Sequence, residues 1–214
     1  MYDYVIVGAG SAGCVLANRL TEDADVRVLL VEAGGPDDND LVHIPAAFGT
    51  LFRTQQDWDH STVWEPQCHN RRIYLPRGRV LGGSSSINAM IYIRGNRLDY
   101  DGWRDEQGCT GWGFDDLLPY FVKSEDNERG ASDLHGSGGP LAVSEGRSRN
   151  PMSEAFLEAA AAYGLPANDD FNGAAQDGVG WYQLTQRNGA RASAAVCYLH
   201  PVMERPNLEV RTHC

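Results

Sequence analysis

Three glycines near the start of the chain, Gly8, Gly10 and Gly13, have the spacing GxGxxG and form what we call the first glycine turn. An apolar run at residues 4–7 precedes them and apolar residues at helical spacing follow at residues 12–20, so they should join a strand to a helix. The first glycine permits a tight turn, the second lets the backbone approach a pyrophosphate, and the third lets the helix pack on the strand. This spacing predicts a dinucleotide site, with an ordinary glycine turn as the alternative.

An acidic residue, Glu32, follows the second apolar run at residues 26–31. Strand, helix and strand together span about 30 residues, the size of one βαβ unit. A carboxylate at the end of the second strand can accept hydrogen bonds from a ribose diol and would repel a 2′-phosphate, which disfavours NADP. The first glycine turn and Glu32 do not distinguish FAD from NAD.

Residues 78–88, GRVLGGSSSIN, form a second glycine segment. Paired glycines followed by three serines predict a second anion-binding turn, in which backbone N–H groups and hydroxyls point at one site. A capped helix start after a loop is the alternative interpretation. The serines do not match the GxSxG pattern of a hydrolase, and no triad partners can be assigned to them. Two phosphate-binding turns in one chain suit a large cofactor.

Residues 78–101 resemble, almost position for position, the first signature of the glucose-methanol-choline (GMC) oxidoreductase family. The similarity extends along essentially the whole chain, through the opening YDYVIVGAGSAGCVLANRL and the segments VEAGG, HIP, WEPQ, DFNG and DGVGWYQLTQRNGARASAA. Within that family the chain is most similar to the bacterial branch of choline dehydrogenase-like and aliphatic alcohol dehydrogenase-like members.

The resemblance implies an α/β fold, α+β overall, which is the Rossmann-type FAD-binding fold of the GMC family. It also implies that this fold is incomplete and includes only the start of the substrate-side portion. We expect a βαβ unit at residues 2–34, a long excursion and the signature at 35–101, a helical substrate-side insert at about 102–206, and a returning strand of the FAD domain at 207–214.

FAD is the cofactor that the resemblance implies. Its ADP end would lie on the first glycine turn and Glu32, and its flavin along the second glycine segment. Some family members attach FAD covalently through a histidine at the position of Ile87, so here we expect non-covalent FAD. The expected cofactor-binding residues are Gly8, Gly10, Ser11, Gly13, Glu32, Ala33, Val80, Gly82, Gly83, Ser84, Asn88, Ala89, Met90 and Ile91.

The implied activity is oxidation of the CH–OH group of choline-like or aliphatic primary alcohols by hydride transfer to flavin N5. Quinone, another carrier or O₂ would accept the electrons. Such chemistry needs a base for the hydroxyl proton. In the family this base is a histidine near the C-terminus, which we expect to lie outside these 214 residues, so no catalytic residue is assigned. A non-catalytic FAD- or ADP-binding module, or one subunit of a split enzyme, is the alternative.

The histidines of this chain have no obvious chemistry. His43 precedes a proline in the long excursion, where a packing role is the simpler interpretation. His60, His69, His135 and His200 have no acidic partner at a meaningful spacing. The adjacent pairs Cys68-His69 and His213-Cys214 do not build a tetrahedral site, so no metal is expected.

Composition excludes several classes of protein. Asp and Glu number 29 against 18 Lys and Arg, and the net charge of −11 repels nucleic acid and anionic lipid alike. The five cysteines contain no CxxC pair, which argues against a disulfide framework. No secretory signal or bilayer-spanning apolar run is evident. We expect a cytoplasmic bacterial protein, with peripheral contact with the inner membrane as the alternative.

Periodicity and punctuation predict the remaining elements. Helices are expected at residues 12–20, 87–93, 99–105, 114–124, 151–163 and 193–203, and strands at 4–7, 26–31, 73–76, 177–186 and 207–212. Residues 125–139 should form a polar loop, and the acidic run 37–40 a solvated one.

Overall fold

The computed structural model describes all residues, Met1–Cys214, in two units. The first comprises Met1–Met90 and Asn188–Cys214, and the second comprises Ile91–Arg187. The strands are β1 (Tyr4–Val7), β2 (Val28–Val31), β3 (His60–Ser61), β4 (Tyr74–Leu75), β5 (Glu125–Asn127), β6 (Leu141–Glu145), β7 (Gln183–Leu184), β8 (Gln186–Arg187), β9 (Ala190–Arg191) and β10 (Leu208–Arg211). The α-helices are α1 (Ser11–Leu20), α2 (Asp40–His43), α3 (Arg97–Asp105), α4 (Phe114–Ser124) and α5 (Pro151–Ala162).

A parallel three-stranded sheet in the order β1-β2-β10 forms the centre of the first unit. Leu29 of β2 pairs with Val5 on one side and with Glu209 on the other. β2 is buried almost throughout, as expected for the middle strand of a parallel sheet. The edge strand β1 is more open, and Val7 is 84% exposed. The predicted βαβ unit and the late strand are therefore present.

Helix α1 packs through small residues, since Gly13, Cys14 and Ala17 are buried. Its neighbour is a π-helical turn, Ala195–Leu199, which continues into a 3₁₀ turn at His200–Val202. The helix predicted at 193–203 is thus irregular. Pro201 lacks an N–H and cannot make the hydrogen bond that an α-helix needs there.

The long excursion between β2 and the second glycine segment is built from short elements. Helix α2, a 3₁₀ helix at Pro45–Leu51 and the antiparallel pair β3–β4 follow one another along it. Val42 and Leu51 of the excursion form a small buried core with Val80 and Ile87 of the second glycine segment. The excursion therefore packs against the buried side of the second glycine segment.

The helix predicted at residues 87–93 is wrong. A single 3₁₀ turn, Gly83–Ser86, ends before it, and Met90 has a positive φ of 62°. The Asn88 carbonyl, which such a helix would use internally, instead accepts a hydrogen bond from the Arg191 side chain, as does the Ser85 carbonyl just before it. A distant arginine thus binds the backbone where the helix was predicted to begin.

The second unit contains a three-stranded sheet in the order β5-β6-β7 together with α3, α4 and α5. Helices α3 and α4 contact each other through aromatic rings, with the Tyr100 and Phe121 centroids 5.7 Å apart. Helix α5 begins at Pro151 after the Asn150 cap, close to the prediction. No helix in either unit has the length and apolar character needed to cross a membrane.

Two further predictions in this unit are wrong. Residues 125–139 are not simply a loop, because β5 lies within them and pairs in parallel with β6. Its first residue, Glu125, is fully buried and forms a 2.6 Å ion pair with Arg94. The strand predicted at 177–186 reduces to the short strands β7 and β8.

The acidic run is not solvated throughout, since Asp37 is only 4% exposed. His200 lies 2.9 Å from its carboxylate, which corrects the prediction that His200 has no acidic partner. The hydrogen bond to Asp37 raises the pKa of His200 above its ordinary value, against the opposing effect of burial. This pair joins the excursion to the 3₁₀ turn at His200–Val202, across 163 residues of sequence.

The His200–Asp37 pair predicts a pH dependence of stability. A raised folded-state pKa means that the pair stabilises fully below the unfolded pKa of about 6.5, and that this contribution is lost as pH rises through the folded pKa. We expect the free energies of unfolding of the wild type and His200→Asn, measured in urea between about pH 5.5 and about pH 9, to differ most at the acidic end. A constant difference across that range would contradict this account.

Candidate cofactor-binding site

The first glycine turn assigns a different task to each glycine. Gly8 has a φ of +94°, which residues with a side chain rarely adopt, and its N–H donates to the Val31 carbonyl at 2.7 Å. A Cβ on Gly13 would lie 2.0 Å from the Gly8 oxygen, so only glycine lets α1 approach β1. A Cβ on Gly10 would meet nothing within 4 Å. Gly10 therefore faces open space.

The second glycine segment lies directly against the first glycine turn. The Gly82 N–H donates to the Ala9 carbonyl at 2.7 Å, and a Cβ on Gly83 would lie 2.7 Å from the Gly10 Cα. Gly82 and Gly83 both have positive φ, 86° and 55°. Segments some 70 positions apart in sequence are thus packed backbone to backbone. The two predicted phosphate-binding segments therefore form one wall of the site.

The serines of the second glycine segment mainly satisfy backbone groups. Ser85 donates to the Gly82 carbonyl at 2.6 Å, and the fully buried Ser86 donates to the Leu81 carbonyl at 2.7 Å. The Ser84 hydroxyl accepts from Gly78 N–H at 3.1 Å, and Ser84 is the exposed member of the run. These bonds explain the serine run without any nucleophilic role.

Glu32 holds the first glycine turn in place. Its two carboxylate oxygens accept the Ala9 and Gly34 N–H groups, each at 2.8 Å, and the residue is only 6% exposed. A carboxylate has about four acceptor positions, so Glu32 can still accept a hydrogen bond from a ligand. Its first task, which sequence spacing alone does not reveal, is to fix the backbone that faces the ligand.

A cavity of about 880 Å³ opens beside this wall. Its volume lies within the range of small-molecule and cofactor sites. Of the predicted residues, it is lined by Gly8, Gly10, Ser11, Glu32, Ala33, Gly83 and Ser84. Gly13, Val80 and Gly82 are buried and are not among the lining residues. Sequence spacing thus brings most of the predicted phosphate and ribose contacts to one surface.

Two aromatic residues that the sequence did not single out also line the cavity. The rings of Trp58 and His60 are stacked, with centroids 5.8 Å apart and planes 4° from parallel. The Arg79 guanidinium lies over the Trp58 ring, 4.9 Å from its centroid. The only sequence signal for this flat surface is an aromatic residue two positions before a histidine, at the start of β3. The surface is suited to stacking on a planar ring.

The last predicted residues lie beyond the cavity lining. Met90 is 3% exposed, whereas Asn88, the last residue of the second glycine segment, and its neighbour Ala89 are exposed. Ile91 is the first residue of the second unit and pairs there with Leu184. A flavin contact by these four residues stays a prediction.

Cys14, next to the first glycine turn, is not a reactive thiol. Burial raises the pKa of the Cys14 thiol to about 12, and the thiol donates to the Ala9 carbonyl.

His135, predicted to have no acidic partner, in fact lies in the second unit between two carboxylates. They are Glu125 at 2.9 Å and Asp170 at 3.0 Å.

Comparison with known proteins agrees with this geometry. The family model described as GMC oxidoreductase matches residues 2–214. An alcohol dehydrogenase (acceptor) of Pseudomonas putida is 48% identical, and an oxygen-dependent choline dehydrogenase of Paraburkholderia phymatum is 50% identical, each over 99% of this chain. The chain spans only 39% and 38% of those two relatives.

Solved structures give the same result. Pyridoxine 4-oxidase from Mesorbium loti matches with a TM-score of 0.95 and 41% identity over 100% of this chain and 42% of its own. An FAD-dependent oxidoreductase from Chaetomium thermophilum matches with a TM-score of 0.89 and 32% identity over 98% and 38% of the two chains. The predicted Rossmann-type FAD-binding fold and FAD as the cofactor are thereby confirmed. The chain belongs to the GMC oxidoreductase family.

Proposed function

We propose that this chain forms the FAD-binding portion of an oxidoreductase that acts on the CH–OH group of alcohols. The observation that carries the proposal is the backbone contact between Gly10 and Gly83, which joins two glycine segments into one wall of a single cavity. A lone GxGxxG turn suits many dinucleotides, whereas two joined segments suit a cofactor as long as FAD. The two relatives described as alcohol and choline dehydrogenases support choline-like or aliphatic primary alcohols as substrates.

The residues of this chain would each contribute to holding FAD. The N–H groups at the start of α1 would bind the pyrophosphate, with Gly10 leaving the space for it. Glu32 and Ala33 would bind the ribose, and the second glycine segment with Asn88, Ala89, Met90 and Ile91 would lie along the flavin. FAD, when bound, supplies the hydride acceptor at N5. Ile87 offers no atom for a covalent bond, so attachment is non-covalent in this proposal.

The base that takes the hydroxyl proton is proposed to lie outside these 214 residues. Of the six histidines, His60 lines the cavity, but its ring is stacked on Trp58. His135 and His200 are each hydrogen-bonded to carboxylates, and neither is among the lining residues of the cavity. The electron acceptor, a quinone, other carrier or O₂, belongs to the same proposal, as does a cytoplasmic location with peripheral membrane contact as the alternative.

Anaerobic spectroscopy of the purified chain loaded with FAD tests this proposal. We expect a bound flavin spectrum that does not bleach with choline or aliphatic primary alcohols, and acid precipitation should release all flavin into solution. Bleaching by the chain alone would overturn the assignment of the base. Flavin that stays with the precipitate would overturn non-covalent attachment. The alternative, a module without any catalytic partner, predicts that no added protein restores bleaching.

A further inference from the structure

Arg191 on β9 is a buried arginine without an acidic partner. It is 2% exposed, and its Nε donates to the Val42 carbonyl at 2.7 Å. Its Nη1 donates to the carbonyls of Ser85 and Asn88, and Nη2 has no hydrogen-bond partner. The guanidinium is therefore bound to the second glycine segment, and its hydrogen bonds all go to oxygen atoms of neutral groups.

Such a charge is unusual in a protein interior. Buried cations are normally paired with a carboxylate, as Arg94 is with Glu125 at 2.6 Å. Arg191 takes part in none of the ion pairs of the structure, and burial lowers its pKa to about 10. It stays protonated near neutral pH, so its positive charge is left without a counter-charge in the fold.

The side chain of Asn88 is oriented by this arginine. Its Oδ1 accepts one hydrogen bond from Arg191 Nη1 at 2.8 Å and another from the Met90 N–H at 3.0 Å. Because two donors hold the oxygen, the Nδ2 group must occupy the other side of the amide. Asn88 is exposed, and Nδ2 donates to no group of the chain. The result is an outward-facing N–H donor with a buried positive charge behind it.

We propose that Arg191 is a positioning residue for the flavin ring: it fixes the Asn88 amide with its N–H groups outward, and its charge favours negative charge on the ring that lies there. The proposal rests on the proposed function, in which the Asn88 segment lies along the flavin. The ligand group it selects is an acceptor-rich, electron-withdrawing edge of a planar ring. Neither the sequence motif nor the resemblance assigns a role to Arg191.

The orientation of the amide can be tested without FAD. In ¹⁵N-labelled chain, the Asn88 side-chain NH₂ signals, identified by their loss in Asn88→Asp, should be sharp and well dispersed. Arg191→Met and Arg191→Lys should both move or broaden them, because neither provides the planar donor pair. Arg205→Met is the matched control, since Arg205 also binds a backbone carbonyl, that of Asn18, but near the far end of α1. Unchanged Asn88 signals in Arg191→Met would overturn the positioning role.

The effect on the flavin is tested with sulfite, which adds to oxidised flavin at N5 and leaves negative charge on the ring. Relative to the FAD-loaded wild type, Arg191→Met should bind sulfite about tenfold more weakly, because it loses a buried charge. Arg191→Lys, which keeps the charge, should lie within about threefold, as should Arg205→Met. Equal sulfite affinity in wild type and Arg191→Met would overturn the electrostatic role.

Arg191→Lys decides the proposal if Arg191→Met does not fold. The lysine variant must then lose the Asn88 signals and keep its sulfite affinity, and any other result overturns the proposal. A wild type that binds no FAD would overturn the proposed function and this electrostatic role together, while the amide signals decide the positioning role alone.

Discussion

Gly10→Val should give a folded chain that binds FAD roughly 100-fold more weakly than the wild type. Gly10 has a φ of −74°, which any residue adopts, and a Cβ there meets nothing within 4 Å. The valine therefore fits the fold but fills the space next to the N-terminus of α1. Losing two charge-assisted hydrogen bonds to a pyrophosphate costs about 3 kcal/mol, or roughly 100-fold in affinity. Quenching of flavin fluorescence measures the affinity, and circular dichroism on heating measures the fold.

Gly13→Val is the matched control, with the opposite outcome. Its Cβ would lie 2.0 Å from the Gly8 carbonyl oxygen, a backbone atom that cannot move without displacing the first glycine turn. This variant should therefore lower Tm strongly or fail to fold. Retained FAD affinity in Gly10→Val would place the phosphate site elsewhere. A loss of fold in Gly10→Val equal to that in Gly13→Val would mean that the space beside Gly10 is not open.

Glu125→Ala should be among the most destabilising substitutions in the second unit. Glu125 is fully buried and pairs with Arg94, which is itself 7% exposed. It also accepts hydrogen bonds from Asn127 at 2.7 Å and from His135 at 2.9 Å. Its removal leaves a buried arginine without a counter-charge, which typically costs 3–5 kcal/mol, so we expect a loss of about 4 kcal/mol. The midpoint of urea unfolding, followed by circular dichroism, measures it.

Asp115→Ala provides the comparison for that loss. Asp115 pairs with Arg97 at 2.8 Å, but its side chain is 72% exposed. Pairs of this kind contribute about 1 kcal/mol or less, since solvent screens them. Similar destabilisation by both substitutions would show that burial of the Arg94–Glu125 pair is not what makes it important.

The features that sequence predicted well are set by local chemistry. The turn between β1 and α1 follows from three glycines, and the structure shows why Gly8 and Gly13 cannot carry side chains. Helices α4 and α5 begin and end within a residue of their predicted bounds because their apolar periodicity and end residues agree. The resemblance added the second glycine segment, whose meaning its composition alone left open.

The features that sequence missed depend on contacts between distant positions. An apolar run at residues 87–93 suggests a helix, but Arg191, about a hundred positions later, binds the Asn88 carbonyl that this helix would need. Asp37 belongs to an acidic run, and only the return of the chain at His200 makes it a buried partner. Glu125 opens a polar, glycine-rich stretch, and its pairing with Arg94 depends on how the second unit folds. No local pattern encodes any of these contacts.

Titration of the purified wild-type chain with FAD, with NADP in parallel, tests the central claim most directly. The joined glycine segments predict one FAD bound per chain, competition by ADP for the same site, and no measurable binding of NADP, because Glu32 would repel its 2′-phosphate. Failure to bind FAD, or binding of NADP as tightly as FAD, would contradict the assignment of this cavity.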